Sequence, residues 1–171
     1  MKNTEQQAAV NYYFSLKEYF AQEAERLKNE APEIRKTVLL NNQTETKKLR
    51  VDDWNNELLT FIDADINKSA FSGKYEADTL LNKNKLQRIT YKAKDAKLKT
   101  RFIDIYFDIE TGVANTIEVV LETRNTLYHS TQNLRYERNK SYSIWGTQEI
   151  RFLKEDMFKV SVEFLNITQT F

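Results

Sequence analysis

A chain of 171 residues with 40% hydrophobic and 12% aromatic side chains has the bulk for one packed domain, which at this length buries roughly 70% of its unfolded surface. The formal charge of +1, from 26 basic and 25 acidic groups, sets up no global field toward nucleic acid, and no stretch approaches the roughly 20 apolar residues of a membrane-spanning helix. Zero cysteines exclude thiol nucleophiles, disulfides and thiolate metal sites; the single histidine, His129, excludes any site needing two imidazoles; three widely spaced glycines leave no P-loop or GxGxxG turn.

Ala9, Val10, Tyr13, Leu16, Phe20, Ala24, Leu27 and Ala31 recur at three- and four-residue spacing, the stripe of a core-facing helix over 5–31 that Pro32 ends. Residues 37–51 read as a hairpin, because Asn41 and Asn42 tolerate the positive φ of a tight turn. Asp52 is placed to cap a second helix over 53–67, whose apolar face is Trp54, Leu58, Phe61, Ile62 and Ile66. Beyond Gly73 the period falls to two, with strands expected near 74–80, 85–93, 99–109, 115–123, 125–136, 140–153 and 157–165. Their short connections favour antiparallel neighbours. The expected fold is α+β: two N-terminal helices packed on one face of a curved, mostly antiparallel β-meander over 74–165, in a single domain covering 1–171.

Between 83 and 101 eight basic residues stand against the single acid Asp95. Such a strip suits lipid headgroups or polyanions, with Tyr91 and Phe102 available to stack, but lysines alternating with apolar residues also protect exposed strands from edge pairing. An isoelectric point of 7.8 is low for a nucleic-acid groove, and no nucleic-acid partner is expected. Asp65 falls inside the apolar stripe of the second helix, where an unpaired carboxylate is costly to desolvate; it reads as a carboxylate bonded by Arg, Tyr or backbone N–H groups near a fraying helix end, or as an acid in a pocket that burial keeps protonated. Asp104 and Asp108 are about 13 Å apart along a strand, too far for a carboxylate pair. His129 and Ser130 project to opposite faces, so they form no base–nucleophile pair within their strand. No catalytic residue, metal or cofactor is assigned.

The late hairpin is more informative. Setting Tyr136 opposite Tyr142 pairs Leu134 with Ile144, Gln132 with Gly146, Ser130 with Gln148 and Tyr128 with Ile150. The middle of this face is polar and lacks one side chain. It reads as a small ligand pocket in which Ser130, Gln132 and Gln148 orient a bound molecule between Tyr128 and Tyr142, or as a solvated face with a bulge at Gly146.

The run Asp65-Ile66-Asn67-Lys68-Ser69-Ala70-Phe71-Ser72-Gly73-Lys74-Tyr75, followed by a strand-rich half containing Tyr142-Ser143-Ile144-Trp145-Gly146-Thr147-Gln148, resembles uncharacterised lipoproteins of the Bacteroidota over about residues 34–165. The resemblance implies an exported, periplasmic or lipid-anchored protein, with the acceptor Cys upstream of Met1, and transfers no activity. A cytoplasmic location is the alternative, since no signal segment stands in the sequence. The expected function is a non-enzymatic cell-envelope binding or interaction domain whose partner is a small molecule or an envelope protein. One alternative is a hydrophobic-ligand carrier with a cavity lined by Phe61, Ile105, Phe107, Ile144 and Phe164. The other is a small hydrolase or isomerase using scattered carboxylates, tyrosines and His129, which requires Asp65, His129 and a second carboxylate to converge in one cleft.

Overall fold

The structure, a computed structural model, describes residues 12–153 and 155–167. Helix α1 (Leu16–Glu30) starts where Ser15, in an extended conformation, accepts the Glu18 N–H at 3.1 Å, and it stops at Ala31, held at φ 46 ahead of Pro32. It is shorter than the apolar stripe suggests. Residues 12–15 are not helical, because the Ser15 cap ends the helix there and the Tyr12 and Tyr13 N–H groups bond the Asn67 side-chain oxygen; residues 5–11 lie outside the described residues.

Strands β1 (Glu33–Leu40) and β2 (Gln43–Arg50) form the expected hairpin about Asn41 at φ 52. The second helix is broken and shorter than 53–67. It consists of α2 (Trp54–Glu57) and α3 (Leu59–Asp63), and its cap is Asp53 rather than Asp52, with the Asp53 carboxylate accepting the Asn56 N–H at 3.1 Å. The chain leaves the helix after Asp63, where Asp65 turns to bond the backbone of α1.

A 3-10 turn at Ser69–Phe71 leads into seven strands: β3 (Tyr75–Asn82), β4 (Lys85–Ala93), β5 (Thr100–Phe107), β6 (Ala114–Arg124), β7 (Tyr128–Glu137), β8 (Ser141–Ile150) and β9 (Asp156–Leu165). The nine strands make one open antiparallel sheet in the order β2-β1-β9-β8-β7-β6-β5-β4-β3. The fold is α+β, with the N-terminal helices packed on a curved sheet.

One sheet face carries Ile34, Val162, Tyr142, Leu134, Tyr136, Ile117, Val119, Ile103 and Ile105, all buried beneath the helices. Aromatic rings fill the helix–sheet interface. Phe20 lies 4.8 Å from Phe61 and 5.1 Å from Tyr136 between ring centroids, and Phe164 meets Trp54, Tyr136 and Tyr142 at 6.0–6.3 Å. Phe61, Ile105 and Phe164 are buried in this core, and Phe107 and Ile144 pack against it. The opposite face is crossed by a polar row through every strand: Asp78, Thr90, Asp104, Glu118, Arg135, Ser143, Ser161, Thr37 and Thr46.

Candidate functional site

Each acid buried in the body of the molecule is engaged by neighbouring groups. Glu23, on α1, accepts from Arg26 (2.7 and 3.0 Å), the Tyr136 phenol (2.6 Å) and Arg138 (3.0 Å). Burial by itself raises the Glu23 pKa, but the hydrogen bonds from Arg26, Tyr136 and Arg138 outweigh it and hold the carboxyl below its ordinary value. Burial pushes the Tyr136 phenol well above its ordinary value, and the Glu23 charge pushes it further. Asp65 accepts the Lys17 N–H at 3.2 Å in the first turn of α1, the backbone partner its place in the stripe requires. On the outer face Asp104 accepts from the hydroxyl of Thr90 and, at 3.3 Å, from that of Tyr106. These groups tie elements together, and Glu23, three residues after Phe20 and four before Leu27, lies on the apolar stripe of α1, a signal of burial that the sequence carried.

The helices stop short of one end of the sheet, where Leu121 and Ser130 are buried and the rest of the face is half-buried or exposed. There the helix-bearing face carries a row of Leu121, Gln132, Gly146, Phe158 and Leu40, then a row of Thr123, Ser130, Gln148 and Asp156. The register across β7 and β8 is the one expected, Tyr136 opposite Tyr142 through Tyr128 opposite Ile150, and it runs without a bulge. Gly146 is needed for close approach instead. A Cβ there would overlap the Thr131 carbonyl oxygen of the adjoining strand.

Three of the candidate residues, Tyr128, Ser130 and Gln132, line one pocket of about 100 Å³ together with Lys99, Leu121 and Thr123. Gln148 sits beside Ser130 in the register, outside that lining. Tyr142 is elsewhere: it is buried beneath α3, donates its phenol to Glu57, and has its pKa raised by burial and by the Glu57 charge. Glu57 also holds Lys36 at 2.7 Å, so this tyrosine belongs to a clamp between helix and sheet.

The pocket shares Lys99 and Thr123 with a cleft of about 450 Å³ lined also by Ala96, Lys97, Glu122 and Arg124. The basic strip therefore divides. Lys97 and Lys99 reach this cleft, while Arg88 faces Asp104 at 3.8 Å. Edge protection by lysine falls to β2, where Lys47 and Lys48 are exposed, rather than to β4, which lies inside the edge strand β3. Lys99, Thr123 and Arg124 were not singled out as site residues, because their convergence depends on pairing β6 with β5 and β7 on either side. The signal available was the placement of Lys97 and Lys99 in a connection at the same end as the β7 start.

His129 lies on the outer face, with Glu122 at 3.2 Å and Arg124 at 3.4 Å, while Asp65 lies under α1 on the helix face; the two do not converge. No helix among the described residues is long and apolar enough to cross a membrane. No protein-family model, curated protein or solved structure matches the chain.

Proposed function

We propose that the chain is a non-enzymatic binding domain whose binding surface is the bare end of the sheet, and that its ligand is a small hydroxylated molecule carrying a negative charge. The lining of the small pocket supports this: one ammonium, Lys99, the neutral hydrogen-bonding groups of Thr123, Tyr128, Ser130 and Gln132, and no carboxylate. A single cation among hydroxyls and an amide selects one anionic group and orients the rest of the molecule through neutral hydrogen bonds. In the adjoining cleft Lys97 and Arg124 add positive charge, and the one carboxylate, Glu122, already has His129 at 3.2 Å and Arg101 at 3.8 Å.

The setting we propose is the cell envelope, on the resemblance to Bacteroidota lipoproteins; a coding sequence upstream of Met1 with no signal peptide and no lipid-acceptor Cys would remove that setting. The binding surface is tested by titrating isotope-labelled protein with glycerol phosphate and with glycerol. Amide shifts at Lys99, Thr123, Ser130 and Gln132 are expected with the phosphate ester alone, and Lys99→Gln abolishes them. Equal shifts from glycerol, or none at these residues, would overturn the proposal.

A further inference from the structure

We infer that this end of the sheet is a lipid-surface contact, in which the anion held near Lys99 is a phospholipid headgroup and neighbouring loop tips enter the apolar layer. The inference rests on the proposed function, since it names the source of the anion. Antiparallel order brings the β1–β2, β4–β5, β6–β7 and β8–β9 connections to one end. Six large apolar side chains there face solvent: Phe152 is 90% exposed, Leu153 66%, Leu127 61%, Met157 57%, Leu40 51% and Ile150 38%. Their segments are joined by backbone hydrogen bonds, Arg151 N–H to the Leu127 carbonyl at 2.9 Å and Asn41 N–H to the Met157 carbonyl at 2.8 Å. They form one rim.

Phe152 also sits at φ 68, the left-handed region that bulky side chains rarely adopt, with the Arg151 guanidinium 4.8 Å from its ring centroid. Neither the backbone nor the ring gains a core contact in return. Protruding apolar tips of this kind mark an interaction surface.

The cations in the clefts beneath the rim argue for an anionic bilayer as occupant, with Asp156 bonded by Asn41 at 3.0 Å and the exposed Asp95 and Glu155 as the acids at the same end. Arg124 and Arg151 flank Leu127 in a cleft of about 260 Å³, and Lys97 and Lys99 follow in the next one. The carboxylates in these two clefts are Glu122, held by His129, and Glu149, which lies opposite His129 in the strand register. Cations set behind apolar tips reproduce the depth profile of an anionic interface, with headgroup phosphate above acyl chain.

The test is co-sedimentation of the full chain with phosphatidylcholine vesicles and with mixed phosphatidylcholine–phosphatidylglycerol vesicles. Binding is expected to the mixed vesicles only and to weaken with salt. Phe152→Ser and Leu153→Ser should each lower partitioning about tenfold, the effect of withdrawing one large apolar side chain; circular dichroism checks that these exposed substitutions leave the fold intact. No binding to mixed vesicles, binding indifferent to both substitutions, or a dimer that the same substitutions dissolve would each overturn the inference. If vesicles fail while glycerol phosphate still shifts Lys99 and Ser130, the lipid assignment falls and the proposed function stands; if both fail, both fall.

Discussion

The covered and bare parts of the helix-bearing face are built on the same strands with the same side-chain parity, yet they do opposite things. Tyr136, Tyr142 and Val162 are closed under helices, while a few residues along those strands Gln132, Gly146 and Phe158 have no helix above them. Dimensions account for the difference. A helix with its side chains is about 10–12 Å across, whereas strands of 10 residues such as β7 and β8 run about 33 Å. Two short helical pieces beside it leave sheet uncovered, and the change from aromatic to polar side chains along β7 and β8 follows where cover ends.

The comparison breaks most sharply at Phe61. Phe61→Ala removes a ring packed against Phe20, Tyr136 and Tyr142, and should cost about 4 kcal/mol in denaturant unfolding; a loss below about 1 kcal/mol would mean that the helical cover is not what holds this half together. Glu23→Gln comes next, at about 3 kcal/mol near neutral pH, because Arg26, Arg138 and Tyr136 lose their shared charge. Its pH dependence has a definite sign. The folded Glu23 pKa lies below its ordinary value, so its contribution is complete above that ordinary value and lost as pH falls through the folded one. Wild type should therefore lose stability more steeply in acid than Glu23→Gln, the two curves converging at low pH; parallel curves would show that Glu23 is not the titrating group. The smallest effect belongs to the bare end. Gly146→Ala should cost about 2 kcal/mol through overlap with the Thr131 carbonyl, and a neutral result would show that β7 can move away.

Much of this architecture was legible along the chain. Even-numbered positions from Tyr128 to Phe164 carry the parity that sets the β7–β8 register, since a slip of one residue would put Tyr136 and Tyr142 in water. The need of Asp65 for a partner followed from its place among Trp54 and Leu58, and backbone N–H groups were among the partners expected, although the one it meets belongs to Lys17 in α1 and not to its own helix end. Helix limits were less readable. Tyr13 keeps the apolar spacing across Ser15, so periodicity ran through a cap that side-chain chemistry had already set, and adjacent aspartates at 52 and 53 left the second cap ambiguous. For Glu23 and Lys99 the contacts, not the positions, were unreadable. One meets Tyr136 and Arg138 more than a hundred residues away, and the other joins Ser130 only once β5, β6 and β7 are side by side.

The ladder between β1 and β9 joins Glu33 to Leu165, more than a hundred residues apart in sequence. During synthesis the first hairpin emerges long before its neighbour exists, and β8 likewise has one flank unmet until β9 follows. The sheet is thus joined only through β9, a non-local closure of the kind that slows folding and leaves strand flanks open to aggregation meanwhile.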